Sequence, residues 1–497
     1  MSILEKIKQK KGKKWLLLYF LLFFNFVAIE IIIMFLSPYY GDLNLIVSNY
    51  AGFYLNLVLI AILLVLLPLI YGAVLIYLNM KRIIKNNEID PRKIHKILPI
   101  FLIILINAAV MLLMYFLEEY SKLIFQILEF YSIYIFLTIT IGLIFLLYPL
   151  FKIIPNLKSS LSNKGLTAEK KNISIILLII AGYIIAFISP IIFIPANVIY
   201  GDLPTKPDII GHRGGAHIGP ENTIEVAEVA LDYDIVGWEV DIAISYDGVP
   251  FIMHDDTLKR TTDVEEIFPD RKSDRMDSFK WKDLRKLNAG SWYVELDPWG
   301  LIARGIITKE QIEKYNNAKI PSFEEVLNFT RDNDLILDFD TRFPPEDHPY
   351  HAIFMEILLN MTIDSSIDLS KIMIPTSSEE WLDLIESRGA IDIWTYENYY
   401  NTGDVYTNAE YLAFYEDDFP IMVYTIDSIE RFCQLWCLGV TWVKTNAPHK
   451  FMNINNPIWY LSIQSYILIW IIIYITGITS AIVIKFILKN KKDIKDV

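Results

Sequence analysis

Residues 211–256 read GHRGGAHIGPENTIEVAEVALDYDIVGWEVDIAISYDGVPFIMHDD, and the reading of the whole chain grows from them. Within about one βαβ unit the stretch places two histidines, an arginine and a pair of carboxylates where strands should end. Glu239 and Asp241 stand two apart in the apolar run 235–244, so a strand there turns both carboxylates to one face. Two inward oxyanions invite a cation. His212 closes the apolar segment 209–211 and His254 closes 250–253, which sets both imidazoles at the rim of one sheet or barrel, flanking whatever the cation holds.

Four spaced motifs, His212-Arg213-Gly214, Pro220-Glu221-Asn222-Thr223, Glu239 with Asp241, and Asp247-Gly248 leading to His254-Asp255, resemble the glycerophosphodiester phosphodiesterase family. The likeness continues through Ile421 to Asp427 and the closing turn Thr445-Asn446-Ala447-Pro448. It is nearest to a six-helix membrane subgroup known from animals, through elements such as Arg260-Thr261-Thr262 and Leu435-Trp436-Cys437. The resemblance implies a (β/α)8 TIM-barrel phosphodiesterase domain with a small insertion. It also implies a divalent cation, Ca2+ or Mg2+, held by Glu239, Asp241 and a third carboxylate from the strand 335–340. That strand's Asp338 aligns with the glutamate of the family's E-x-K motif, and Asp340 falls on its lysine. Asp340 could instead be an additional ligand. The lost lysine removes a phosphate contact unless Arg342 or Lys444 replaces it.

Hydropathy frames this domain with membrane. Of the 497 residues 54% are hydrophobic, too many for a purely soluble protein. Runs long enough to span a bilayer lie at about 15–36, 53–78, 97–117, 127–153, 173–199 and 458–488, five before the motif region and one after it. The expected organisation is an N-terminal membrane region over 1–200, the barrel over 201–457 with its insertion at about 257–322, and a last span with a basic tail over 458–497. Lysines and arginines crowd the first fourteen residues, the second and fourth connections and the tail, so both termini are expected in the cytoplasm and the barrel outside it. The amino-terminal run is too long for a cleaved signal and lacks a small-residue cleavage site, so it reads as a retained anchor. Residues 201–457 carry a net charge of −25 against +12 elsewhere, which argues against a nucleic-acid partner.

From residue 208, short apolar strands alternate with amphipathic helical segments, as an α/β barrel requires. Strands are expected at 208–211, 235–244, 250–253, 335–340, 371–374, 390–394, 420–426 and 440–445. Asn222 is a candidate cap for the helix that follows it, so Glu221 to Thr223 can serve a helix start or contact substrate. Cys433 and Cys437, four apart on a helix, read as core packing. The aromatics Trp281, Trp292, Tyr293 and Trp299 of the insertion either pack a small lobe or receive a cationic headgroup.

Together these readings point to metal-dependent hydrolysis of a glycerophosphodiester, or of a phospholipid or glycolipid headgroup, at a bilayer. Arg213 would grip phosphate, while His212 and His254 divide the proton work. Two other readings stay open. The barrel could be inactive and sense headgroups, or it could be an accessory of a transporter.

Overall fold

The computed structural model of the protein describes residues 10–35, 56–84, 91–116, 125–137, 140, 180–181, 184–185 and 187–493. The chain divides into two compact units, residues 1–127 with 298–300 and the remainder. In the first, the helices Lys10–Phe35, Leu57–Ile84 and Lys93–Phe116 bury a seam of Leu22, Phe26 and Val65. Asn107 donates to Asn25 across this seam at 3.1 Å, satisfying polar groups that lipid would not. Leu63, Leu67, Ile104 and Met111 stand half or more exposed on the outside. Such a surface suits hydrocarbon rather than water.

Among the described residues three helices are long and apolar enough to cross a membrane, over Leu59–Asn79, Lys93–Leu112 and Ile463–Ser480, with a shorter apolar stretch at Leu18–Val27. The chain is a membrane protein. The fourth and fifth expected spans are described only in part, over residues 127–137 and 140 of the one and 180–181, 184–185 and 187–199 of the other.

The second unit is built on strands β1 (Val198–Ile199), β2 (Asp208–Gly211), β3 (Ile235–Ile244), β4 (Pro250–Ile252), β5 (Ile336–Thr341), β6 (Ile372–Met373), β7 (Tyr400–Gly403), β8 (Ile421–Tyr424), β9 (Trp442–Thr445) and β10 (Leu461–Ser462). The main sheet runs β6-β5-β3-β2-β9-β8-β7, all parallel, with β4 antiparallel on β3. It is a curled, TIM-barrel-like sheet. Trp394, from the β6 side, packs edge-on to Trp442 of β9 at 5.5 Å and reaches Tyr399 at 6.2 Å. With Ile210, Ile336, Met373 and Met422 these rings form an apolar floor inside the curl.

β1 and β10 occupy the ends of the expected fifth and sixth spans, and three further differences from expectation lie in the main sheet. Residues 250–252 form the return limb of a hairpin on β3, because the turn at Asp247-Gly248 reverses the chain. The run 390–394 contributes a single bridge, Trp394 to Met373. β7 was not expected, since its sequence YNTG carries little strand signal.

Along β3 the odd and even positions part company. Trp238 is fully buried, donates its indole N–H to Thr330 Oγ1 at 3.0 Å and meets Phe329 edge-on beneath the helix Phe323–Asp332. Gly237, Glu239 and Asp241 take the other face. The parallel register pairs Gly237 with Ile336, Glu239 with Asp338 and Asp241 with Asp340. A hairpin-closing glycine is also exacting: Gly248 has φ +87° with the Tyr350 ring against it. The insertion forms its own small core, in which Val264, Met276, Phe279 and Leu284 are buried. Cys433 and Cys437 are buried free thiols, as expected of packing residues.

A Cβ at Gly237 would lie 2.5 Å from the Ile336 carbonyl oxygen, so Gly237→Ala should push β3 from β5. We expect it to cost about 1–3 kcal/mol, read as a lowered denaturant midpoint; an unchanged midpoint would show that the two strands can separate freely.

Candidate active site

β2 ends in a tight 3-10 turn, His212–Gly214, that throws three groups into the mouth of the curl. Arg213 sits in the left-handed region at φ 51°, a conformation that a non-glycine residue adopts only under constraint. The constraint is visible. Its backbone N–H donates to Glu239 Oε2 at 2.8 Å, its guanidinium donates to Glu221 Oε1 at 2.9 Å, and its Nε stands 3.5 Å from Asp241 Oδ2. Asn222, also left-handed at φ 60°, donates to Asp241 Oδ2 at 2.8 Å. That use of its amide leaves the helix Ile224–Ala230 to be capped by Thr223, not by Asn222 as expected.

Three carboxylates, Glu239, Asp241 and Asp340, bring one oxygen each within 4.8 Å of one another. Glu239 is 2% exposed and Asp241 fully buried. Burial and the Asp241 charge push the Glu239 carboxyl up to about 8. Burial would raise Asp241 too, but Arg213, His254, the Asn222 hydrogen bond and Arg342 outweigh it and hold that carboxyl low. Arg342 donates to Asp241 Oδ1 at 2.7 and 3.0 Å and to Asp340 Oδ2 at 3.3 Å. The donor set is all oxygen, which suits a hard divalent cation, and such a cation would favour the ionised form of Glu239. Arg213 Nε is buried and without a hydrogen-bond partner among the described residues, and a planar guanidinium so placed suits a phosphate group.

Asp338 lies elsewhere. Facing Glu239 across the β3–β5 register, it is fully buried, ion-paired with Lys444 of β9 and within 3.3 Å of Asn401 Nδ2. Burial would lower the Lys444 ammonium, but Asp338 and Glu239 outweigh it and keep it raised. The carboxylate-x-cation spacing sought at Asp338 and Asp340 therefore falls, in space, on Asp340-Thr341-Arg342. Two equally spaced aspartates on one strand gave the sequence no means of choosing between them.

Both imidazoles are tied through one nitrogen. Asn446 donates its amide to Asp427 Oδ2 at 2.9 Å, so its Oδ1 must accept from His212 Nδ1, 2.7 Å away. His212 Nε2 then points to Glu239 Oε2 at 3.9 Å. Burial, with Arg213 and Lys444, brings the His212 ring down to about 4, so it is neutral near pH 7. His254 Nδ1 is 2.7 Å from Asp255 Oδ1. Arg260 spans Asp255 and Glu221, with bonds of 2.6 and 2.8 Å to the first and 2.7 Å to each oxygen of the second. Sequence reasoning gave Arg260, Asp427 and Asn446 no role, although each lay inside a quoted motif.

A cavity of about 240 Å3 opens beside Asp340, lined among others by Thr341, Phe343, Thr376, Ser378 and Glu380. Of the insertion aromatics, Tyr293 is fully buried and donates to the His217 carbonyl at 2.7 Å, and Trp292 donates its indole N–H to the Ala289 carbonyl at 3.0 Å.

The sequence model of the glycerophosphoryl diester phosphodiesterase family matches residues 212–385. This domain belongs to that family. The chain is 27% identical over 446 residues to the Mus musculus glycerophosphoinositol inositolphosphodiesterase GDPD2, covering 87% of this chain and 80% of that one. It is 33% identical over 283 residues to the Gallus gallus glycerophosphodiester phosphodiesterase domain-containing protein 5, covering 54% of this chain and 46% of the relative, so it spans about half of that protein. A glycerophosphodiester phosphodiesterase crystal structure from Agrobacterium tumefaciens aligns over 50% of this chain and all of its own at 18% identity and a TM-score of 0.37.

Asp338→Ala would leave Lys444 buried without its partner, and we expect a loss of about 3–5 kcal/mol in denaturant unfolding. Asp340→Ala removes one of three crowded carboxylates and should leave unfolding stability unchanged or raised. Equal losses from the two would contradict this division between an aspartate paired with a buried lysine and one crowded among carboxylates.

Proposed function

We propose that the chain is a membrane-anchored, metal-dependent hydrolase of glycerophosphodiesters or of phospholipid and glycolipid headgroups, working on the outer face with both termini in the cytoplasm. The observation that carries this reading is the pair of imidazoles, each held through Nδ1 with Nε2 left for chemistry, one beside Glu239 and one on the Asp255 carboxylate that Arg260 ties to Glu221. The curl is read as a full (β/α)8 barrel in which the Trp394 bridge stands for the fifth strand.

Glu239, Asp241 and Asp340 would hold Ca2+ or Mg2+, in place of the set with Asp338 that the motif alignment implies. When bound, the cation supplies positive charge against the phosphate oxygens. The remaining work belongs to side chains. Arg213 takes one phosphate oxygen through its guanidinium, and Glu221 with Arg260 keeps the Arg213 plane in place. Arg342 replaces the family lysine beside Asp340. Lys444 keeps Asp338 neutralised below the site.

His212, neutral at pH 7, accepts through Nε2 the proton of the attacking hydroxyl, from water or from the glycerol oxygen next to the phosphate. As that oxygen bonds to phosphorus, the opposite ester bond breaks. The departing alkoxide takes a proton from His254, whose ring the Asp255 carboxylate orients through Nδ1. The cavity beside Asp340 gives the alcohol portion room.

The test is alcohol release by the purified full chain from glycerophosphocholine, glycerophosphoinositol, lysolipids and glycolipid anchors, with and without chelator. His212→Ala and His254→Ala should each slow release on the order of a hundredfold or more, and chelator should abolish it. No hydrolysis of any of these with Ca2+ or Mg2+ present would instead favour a headgroup sensor.

A further inference from the structure

The end of the sheet that carries the chemistry is also the end that its membrane attachments touch. In a parallel sheet every return helix starts at the carboxyl ends of the strands, where the site is. The helix Asn408–Glu416 follows β7 and the helix Ile429–Cys437 follows β8, and both first turns are held by residues 128–137. Glu129 accepts from Asn408 Nδ2 at 2.6 Å, and Tyr131 donates to Glu430 at 3.5 Å. The same Glu129 carboxylate accepts from the Ala196 N–H at 3.0 Å, just before β1.

One turn further along, the segment meets the span. Ile133 and Phe136 pack on the cluster of Val198, Tyr466 and Trp470, and Tyr466 donates to the Pro190 carbonyl at 2.7 Å. The parallel clasp of β1 with β10 lies immediately before the helix Ile463–Asp493, whose apolar span begins at Ile463. The level at which this helix enters the bilayer is therefore the level of the two first turns. The opposite end of the domain is reached only after the linker descends, where Trp436, at the far end of its helix, donates to the Pro204 carbonyl at 2.8 Å.

The rim is dressed accordingly. Val405, just past the carboxyl end of β7, is 70% exposed, and Tyr424, closing β8, and Phe343, just past β5, are also exposed. Tyr200, Ile458 and Tyr460 flank the clasp, again exposed, where aromatic residues favour the headgroup region.

We propose that the mouth of the curled sheet is held against the bilayer entered by its own carboxy-terminal helix, with Val405 and Tyr424 dipping into the headgroup layer, and that its substrates are phosphodiesters carried by that bilayer. This deepens the function proposed above and rests on it for the chemistry. The occupant of the rim is the lipid surface, because the contacts that place the mouth are continuous with a membrane span.

Val405→Cys and Ile391→Cys, the latter 72% exposed at the opposite end, provide two sites for a spin label on the full chain in lipid nanodiscs. A nickel chelate anchored to lipid should broaden the Val405→Cys label and leave the Ile391→Cys label unaffected. Equal broadening, or the reverse, would overturn the orientation whether or not the protein is active. A second variant reads function: Val405→Asp should lower release from vesicle-borne lysolipid about tenfold, as expected when a charge meets the interface, while glycerophosphocholine release stays unchanged. Parallel loss on both substrates would overturn the proposal, whereas no release from either in the wild type would refute the function and leave the spin-label result standing.

Discussion

The parallel register of β3 and β5 forces like charges together, and the rest of the domain answers that constraint. It sets Glu239 beside Asp338 and Asp241 beside Asp340, four acidic groups on one inward face of two adjacent strands. Unrelieved, such crowding in a low-dielectric interior would favour protonation or unfolding. The protein relieves it in two layers. Below, Lys444 of β9 neutralises Asp338 just above an apolar floor of tryptophan, tyrosine and methionine. Above, Arg213 and Arg342 share Asp241, and the proposed cation completes the balance.

That arrangement explains why polar residues distant in sequence act as one unit. Arg260, from the insertion, links Asp255 behind His254 to Glu221 behind Arg213. Asp427, after β8, accepts from Thr445 Oγ1 and from both the backbone and the side chain of Asn446, which in turn holds His212. Each imidazole is thus oriented by a carboxylate, directly for His254 and through an amide for His212.

Much of this was legible in the sequence, and the omissions have physical causes. The apolar run 235–244 with two acids in alternate positions fixes β3 and the face its carboxylates take, because strand periodicity is strict. The two histidines announce themselves by closing apolar segments. Asp338 and Asp340 were indistinguishable, since both occupy the inward face of one strand; only the cross-sheet partner, Lys444, separates them. β7 escaped notice because a short YNTG strand stabilised by its neighbour has no hydrophobic signature. Arg260 could not be assigned because its role depends on where an inserted lobe folds back. Likewise, the contacts of Glu129 and Tyr131 with the domain join residues about 280 and 300 positions apart, a separation that local patterns do not encode.

The central claim is that the oxygens gathered by β3 and β5 bind a divalent cation through Asp340 and not through Asp338. Isothermal titration of Ca2+ and Mg2+ into the purified full chain tests it directly, comparing wild type with Asp340→Asn and Asp338→Asn. The account predicts one cation per wild-type chain, binding lost in Asp340→Asn, and binding retained by whatever fraction of Asp338→Asn remains folded. Undiminished binding in Asp340→Asn would contradict it.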